Sequence, residues 1–201
     1  MQGPQVMVLH PSHPTKTVTD FIAYAKANPG KINMASGGIG TPGHVAGELF
    51  KIMAGVNLTH VPYRGEGPAL TDAISGQFEV MFVSASPSLE FIRAGKLRAL
   101  AVTTSTRWAA MPDVPSIAET VPGYEAIAWA GIGAPKGTPP EIIEKLNTQI
   151  NAGLASPAIK ARYLDLGITP LILSPSDFGK FVAEDTQKWA KVIRAAGIKA
   201  E

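Results

Sequence analysis

Three short apolar segments between residues 32 and 83 each run through a turn into a helix, and this alternation constrains the fold most. The predicted strands are residues 32–35, 58–63, 79–83 and 97–103, and the predicted helices between them lie near residues 42–54, 68–75 and 87–94. Strands that alternate with helices of about 8 to 13 residues indicate βαβ units and a mostly parallel sheet. Open parallel sheets bind ligands beyond the carboxyl ends of their strands. The three turns from strand to helix are therefore predicted to line one crevice.

The first of these turns is the richest in glycine and in backbone hydrogen-bond donors. Its sequence is Met34-Ala-Ser-Gly-Gly-Ile-Gly-Thr-Pro-Gly-His44. Thr41 suits the N-cap and Pro42 the first helical position, so the amides of the first turn lack partners inside the helix and carry the positive end of its dipole. Such a helix terminus binds anions without a charged side chain. The glycine turn is therefore predicted to hold a carboxylate or a phosphate.

The four histidines are candidate ligand contacts or metal ligands. His44 falls at the third position of the helix, where its side chain can lean back over the glycine turn and donate a hydrogen bond to a ligand oxygen. The alternative is a partly exposed histidine that bonds local backbone. His10, His13 and His60 have no carboxylate or second histidine at metal-ligand spacing, so no metal site is predicted.

The second and third turns add further candidate ligand-binding residues. Tyr63 ends its predicted strand, where its ring can close over an aliphatic or aromatic part of a ligand or simply lie half-buried. Arg64 can pair with a carboxylate, or only with Glu66 and solvent. Ser84 and Ala85 stand at the beginning of the third turn. All of these residues follow strand ends that are predicted to meet at one edge of the sheet.

The glycine turn also matches the dinucleotide-binding pattern G-x-G-x-x-G, as Gly38-Ile-Gly-Thr-Pro-Gly43 between a strand and a helix. In that pattern an acidic residue ends the next strand and holds the ribose. Here the next predicted strand ends in Tyr63 and Arg64, and Glu66 comes late. A dinucleotide-dependent enzyme that uses Gly38–Gly43 stays an alternative, as does a turn whose glycines serve only a tight backbone bend.

Composition excludes several classes of function. The chain has 201 residues, no cysteine, and a net charge of +2 without any run of five like charges. Disulfides, thiolate chemistry and cysteine-bound zinc are therefore excluded, and neither nucleic acid nor a membrane surface is an expected partner. The chain has no G-x-S-x-G, H-E-x-x-H or Walker motif. No catalytic residue and no cofactor is predicted, and a binding module is favoured over an enzyme.

The start of the chain has no sequence pattern typical of a targeting signal. The first residues lack a basic segment followed by an apolar one, and no segment approaches the length of about 18 apolar residues that a membrane span needs. As written, the chain is expected to have no signal peptide and to stay in the cytosol.

The pattern changes after residue 104. Prolines at positions 112, 115 and 122 interrupt it and indicate a return linker. Beyond this linker, strands are predicted at 126–134 and 168–173, and helices begin after residues 138, 156 and 174. We predict an inner α/β lobe of residues 15–104 that carries the glycine turn, and the remnant of an outer lobe made of residues 1–14 and 105–201. Two crossings of the chain between the lobes would form a hinge.

Ordered sequence blocks along essentially the whole chain resemble one family. They include Ala23-Tyr-Ala-Lys-Ala-Asn-Pro-Gly-Lys31, Gly40-Thr-Pro-Gly-His-Val-Ala-Gly-Glu-Leu-Phe50, His60-Val-Pro-Tyr-Arg-Gly65, Ala94-Gly-Lys-Leu-Arg-Ala-Leu-Ala-Val102 and Ala134-Pro-Lys-Gly-Thr-Pro139. Together these blocks resemble Bug-type solute receptors, the extracytoplasmic binding component of tripartite tricarboxylate transporters. Several blocks in the same order are far more specific than any one of them.

The resemblance implies a two-lobed periplasmic-binding-protein fold of type II, an α/β architecture with mostly parallel sheets. Such a receptor closes on a small carboxylate and presents it to permease subunits in the membrane, without performing chemistry. The glycine turn of these receptors holds the carboxylate through backbone amides, hydroxyls and waters. The corresponding residues here are Ser36, Gly38, Ile39, Gly40, Thr41 and His44. The full-length receptors are periplasmic.

Two departures from the family pattern lead to further expectations. Many relatives place an acidic residue that can read an amino group directly after the phenylalanine at Phe82, where this chain has Val83. An uncharged wall would favour a plain or aromatic carboxylate over an amino acid.

Family members also begin with a signal peptide and a longer N-terminal part, so we expect an incomplete outer lobe, weak ligand binding, and self-association or domain swapping. A degenerate scaffold that binds nothing is the remaining alternative.

Overall fold

The computed structural model describes residues 1–199. Within this range the chain forms six β-strands, seven α-helices and one short 3₁₀-helix. In chain order they are β1 (Gln2–Leu9), α1 (Val18–Ala27), β2 (Asn33–Ser36), α2 (Pro42–Ala54), β3 (Thr59–Pro62), α3 (Glu66–Ile74), β4 (Val80–Ser84), α4 (Ala85–Arg93), β5 (Arg98–Val102), the 3₁₀-helix (Ile117–Glu119), β6 (Ile127–Trp129), α5 (Pro140–Ala155), α6 (Pro157–Asp165) and α7 (Pro175–Ala195). No helix in this range is both long enough and apolar enough to cross a bilayer.

The main sheet has the strand order β3-β2-β4-β1-β5. β2 is parallel to β3 and to β4, whereas β1 is antiparallel to β4 and to β5. The strands β2 to β5 therefore run in one direction, and β1 runs against them and makes the sheet mixed. β1 precedes the first strand-helix repeat, so the alternation that predicts the parallel strands contains no information about its direction.

β1 is shared between the main sheet and the C-terminal part of the chain. Its residues Gln5 to Leu9 pair with β4 and β5, whereas Gln2, Gly3 and Pro4 pair with β6. In the predicted division, residues 1–14 belong wholly to the outer lobe; the structure instead places residues 5–9 in the middle of the main sheet. The division at residues 15–104 itself stays a prediction.

Apolar side chains cover both faces of the main sheet. Successive residues of β1 alternate between the faces, since Met7 and Leu9 belong to one buried cluster and Val6 and Val8 to the other. The first cluster also contains large buried side chains from α1, α2, β4 and the return linker: Phe21, Phe50, Phe82 and Tyr124. A strand that is buried on both faces reads as a continuous apolar run, which is why β1 and β4 are conspicuous in the sequence.

The C-terminal helices are packed far less tightly. Neither α5 nor α6 has a buried residue, and α7 has one, Val192. The strand predicted at 168–173 is reduced to a single bridge between Thr169 and Gln2, and the strand predicted at 126–134 is shortened to β6. The segment 168–173 makes only this bridge, and the segment 126–134 pairs with β1 only at residues 127–129. Extended backbone beyond these partners has no ladder and is not a strand.

An aromatic cluster connects α7 to β6. The carboxylate of Asp185 accepts hydrogen bonds from the indole nitrogens of Trp129, at 2.8 Å, and Trp189, at 3.0 Å. Phe178 and Phe181 contact the Trp129 ring edge to face. Trp189 also packs against the first core cluster, so α7 is the C-terminal helix that is anchored to the main sheet.

Candidate functional site

Three helix N-termini meet at one edge of the main sheet. α2, α3 and α4 follow β2, β3 and β4, which are neighbours in the sheet and end at the same edge because they run in the same direction. The N-caps of these helices are Thr41, Gly65 and Ser84, and none of them makes a side-chain cap hydrogen bond. The edge therefore collects unsatisfied amide donors and the positive ends of three helix dipoles.

Glycine is required at three positions around the first N-terminus. Gly38 and Gly40 have φ angles of 136° and 76°, which side chains disfavour. A Cβ on Gly43 would collide with the carbonyl oxygen of Phe82 in β4. The glycine turn thus presses the start of α2 directly against the sheet edge.

The free donors of the glycine turn are fewer than its sequence suggests. The Gly38 amide donates to Ser36 Oγ at 3.1 Å, and the Gly40 amide donates to His44 Nδ1 at 3.0 Å. Among residues 1–199, by contrast, the amides of Ile39, Gly43 and His44 have no acceptor. These three amides are the donors that an incoming anion can use.

His44 shapes the turn from within the protein. It is buried, and its Nδ1 accepts from the Gly40 amide, so this nitrogen cannot donate to a ligand. Its Nε2 lies 3.7 Å from Glu48 Oε1. The geometry matches the alternative in which His44 bonds local backbone, although the side chain is buried rather than partly exposed.

His60 stacks on His44, a contact that the sequence analysis missed. The two imidazole rings are 3.7 Å apart and inclined by 10°. His60 Nε2 lies 2.7 Å from Ser36 Oγ, and Ser36 is fully buried. Burial lowers the pKa of His60 to about 4, and the neighbouring His44 contributes in the same direction. The neutral His60 therefore braces the glycine turn through Ser36 and His44.

Of the remaining residues of the turn, Thr41 stabilises its conformation and Ile39 is exposed. Thr41 Oγ1 donates to the carbonyl oxygen of Gly38 at 2.7 Å, which closes the turn. Ile39 leaves its side chain exposed above the turn. Thr41 is thus the N-cap by position, as predicted, while its hydroxyl serves the turn rather than the helix amides.

Tyr63 faces away from the glycine turn. Its hydroxyl donates to Asp72 Oδ2 at 2.7 Å, and its ring meets Phe78 edge to face at 5.9 Å. Burial, followed by the hydrogen bond to Asp72, raises the pKa of the Tyr63 hydroxyl. Only its backbone lies beside the turn, where the Tyr63 amide donates to the carbonyl oxygen of Ser36.

The third turn is occupied by a carboxylate of the chain itself. Ser84 donates to Glu66 Oε1 from its amide at 3.2 Å and from its hydroxyl at 2.9 Å. Ala85 is buried, so only its backbone faces the edge. The expectation that Val83 forms an uncharged wall is wrong, because Val83 is fully buried in the second core cluster. No sequence pattern predicts that Glu66, at the start of α3, reaches Ser84.

Two cavities differ in their relation to this edge. A cavity of about 220 Å³ lies beside the glycine turn, between Gln5, Gly40, Pro42 and the two indoles of Trp129 and Trp189. A larger groove of about 410 Å³ lies between α5, α6, α7 and residues 130–134, and it contains none of the predicted site residues. The oriented amide donors and the larger of these two cavities therefore lie in different places. The polar edge is the better candidate site because its amide donors are unsatisfied.

The sequence is similar to those of known receptors. The family described as "Tripartite tricarboxylate transporter family receptor" matches residues 1–198. Protein BugT of Bordetella pertussis (strain Tohama I) is 38% identical over 197 residues, which cover 98% of this chain and 60% of BugT. The UPF0065 protein in the tcbD-tcbE intergenic region of Pseudomonas sp. (strain P51) is 38% identical over 192 residues, which cover 94% of this chain and 57% of that protein. The chain thus spans less than two thirds of the length of these relatives.

Solved structures are similar over the same extent. R. palustris Rpa4515 with adipate has a TM-score of 0.92 and 38% identity, and the match covers 98% of this chain and 66% of that one. The periplasmic binding protein BugD has a TM-score of 0.89 and 32% identity, with 100% and 68% covered. MatC from Rhodopseudomonas palustris with bound malate has a TM-score of 0.86 and 30% identity, with 96% and 67% covered. The predicted α/β periplasmic-binding-protein fold is confirmed.

Proposed function

The chain belongs to the tripartite tricarboxylate transporter receptor family, and on this premise we propose that it captures a small carboxylate as a periplasmic solute-binding receptor. The observation that carries the proposal is the sheet edge where three helix N-termini without side-chain caps meet. Relatives of the same fold are described with adipate and with malate, both of which are carboxylates. The dinucleotide alternative gains no support from the matched family.

The proposed contact is a carboxylate on the amides of Ile39, Gly43 and His44. Ser36, Gly38, Gly40 and Thr41 hold the turn in the shape that exposes these amides, through the hydrogen bonds described above. Tyr63, Ser84 and Ala85 complete the same edge through their backbone. Amides that are already oriented bind an anion without a reorganisation cost, which suits a receptor that binds without chemistry.

The proposed partners extend beyond the ligand. A receptor of this family presents its carboxylate to permease subunits in the membrane. The exposed apolar side chains of the C-terminal helices also support the proposal that the chain self-associates. Leu146 in α5 and Leu164 in α6 are 47% and 66% exposed, and unpartnered apolar surface of this kind favours association.

Replacing Gly40 with valine tests the site. Gly40 has a φ of 76° and open space around its Cβ position, so the substitution strains the turn without a steric clash elsewhere. We expect adipate affinity, measured by calorimetry, to fall about tenfold or more, since strain of roughly 1–3 kcal/mol distorts the donors.

The matched control is Gly55→Val. Gly55 has a φ of 63°, also has open space, and ends the same helix at its far terminus. Equal losses of adipate affinity in the two variants, or no loss in Gly40→Val, would count against the glycine turn as the site. Binding of NAD with no binding of carboxylates would favour the dinucleotide alternative.

A further inference from the structure

We propose that Glu66 determines which carboxylates this receptor accepts, because it occupies the N-terminus of α4 with a carboxylate of the chain itself. The inference rests on the proposed function, since it concerns the ligand class of the same site. Glu66 is the first residue of α3, and its Oε1 accepts hydrogen bonds from the amide and the hydroxyl of Ser84. Both donors of Ser84 are therefore already engaged.

Glu66 supplies the cap that α4 otherwise lacks. Ser84 is the N-cap of α4 and makes no side-chain cap hydrogen bond to the helix. A carboxylate is the group that a helix N-terminus favours, through both its amides and its dipole. A ligand carboxylate that approaches Ser84 would have to displace Glu66, so Ser84 is withdrawn from the ligand as long as Glu66 stays in place.

The capped terminus lies directly beside the proposed carboxylate site. A Cβ on Gly43 would collide with the carbonyl oxygen of Phe82, two residues before Ser84, so α2 and α4 begin next to each other. A Cβ on Gly37 would lie 3.1 Å from Glu66 N and 3.2 Å from its Cγ, so Glu66 also contacts the glycine turn. Glu66 therefore lies between the two N-termini.

The position of Glu66 restricts the second polar group of the ligand. An ionised carboxylate offers hydrogen-bond acceptors and no donor. Beside Glu66 a hydroxyl can donate, whereas a second carboxylate is repelled at short range in a partly buried site. The ligand class is a small carboxylate whose second polar group is absent, is a hydroxyl, or lies clear of Glu66, rather than a short dicarboxylate that spans both N-termini.

Affinities of three ligands of equal carbon number measure this selectivity. Calorimetry of the full chain with butyrate, 4-hydroxybutyrate and succinate is expected to show succinate as the weakest ligand. Glu66→Gln removes the charge and keeps the shape, and we expect succinate affinity relative to butyrate to rise about tenfold. Glu141→Gln removes a first-turn charge from α5 and serves as the control, with the ratio unchanged. An unchanged ratio in Glu66→Gln would overturn the inference.

A second readout separates this inference from the proposed function. In Glu66→Ala, acetate is expected to occupy the vacated N-terminus of α4 and shift the backbone amide resonance of Ser84, whereas the wild-type resonance stays unmoved. One outcome is that no carboxylate shifts the amide resonances of Gly43 and His44 in any variant, while acetate shifts the Ser84 resonance in Glu66→Ala. In that case the proposed function fails and the role of Glu66 is supported. If acetate moves Ser84 equally in both proteins, or in neither, the inference is wrong.

Discussion

The main sheet and the C-terminal helices both carry apolar side chains, but they bury them very differently. β1 and β4 are covered on both faces, and the polar groups at the sheet edge bond to one another in a defined network. α5 carries an apolar stripe that includes Ile142, Leu146 and Ile150, and yet neither α5 nor α6 buries a residue. An amphipathic pattern thus predicts that a helix will form, whereas burial depends on a partner that the pattern does not supply.

The two regions also differ in where the oriented hydrogen-bond donors and the larger cavity lie. The sheet edge is rigid because the fold around it is packed, and it carries the unsatisfied amides. The groove between the C-terminal helices is larger and apolar, and its volume reflects loose packing. A binding site requires oriented polar groups on a rigid support, so the contrast favours the edge.

The largest expected effect is a difference in stability between two leucine deletions. Leu100 in β5 is 2% exposed and Leu164 in α6 is 66% exposed. We expect Leu100→Ala to lower the free energy of unfolding by about 3 kcal/mol and Leu164→Ala to lower it by less than about 0.5 kcal/mol. Urea denaturation followed by circular dichroism provides both values. Similar losses in the two variants would break the comparison, since they would mean that α6 is packed as tightly as the sheet.

A smaller effect is expected from the pH dependence of the sheet edge. Because burial lowers the pKa of His60 to about 4, the unfolded state takes up a proton near its ordinary value of about 6.5, before the folded state does. The contribution of His60 is complete above about pH 6.5 and is lost as the pH falls towards about 4. Between these values we expect a loss on the order of 1–2 kcal/mol, reduced by the partial exposure of the group.

His60→Asn checks this assignment. Denaturation at a series of pH values should show a flatter dependence in the variant than in the wild-type protein. Part of the dependence should persist, because burial also lowers the pKa of His13. A variant profile parallel to the wild-type profile would show that His60 does not brace the edge as a neutral group.

The smallest expected effect concerns the proposed self-association. Leu146 lines the groove between the C-terminal helices and is 47% exposed. Leu146→Glu should weaken self-association, measured by light scattering over a range of concentrations, by about tenfold, because a charge then has to be buried at the interface. Ile52→Glu is the matched control, since Ile52 is also 47% exposed but lies on α2, outside the groove. A wild-type chain that stays monomeric at every concentration would refute the proposal.

The sequence predicted those parts of the fold that depend on interactions between residues close together in the chain. The starts of α6 and α7 are examples, since Ser156 and Ser174 accept hydrogen bonds from the amides of Ile159 and Asp177. The turn before α2 is another, because Thr41, Pro42 and the glycines each favour the conformation they adopt. Short-range patterns of this kind needed no knowledge of the rest of the molecule.

Features that depend on distant contacts were not predictable in the same way. The direction of β1, the stacking of His60 on His44, and the reach of Glu66 to Ser84 all follow from which strands become neighbours. The strand predicted at 168–173 failed for the same reason, since no neighbouring strand continues the single bridge between Thr169 and Gln2. The contacts at the site that the sequence did not predict are therefore mostly contacts between residues of different elements.

The most direct test of the account is an amide nuclear magnetic resonance titration of the full chain with adipate. Saturable shifts at Ile39, Gly43 and His44, with α5 and α6 unaffected, are the result that the account predicts. Shifts confined to the residues that line the groove between the C-terminal helices, such as Leu146 and Ile150, would contradict it and would place ligand binding in the loosely packed region.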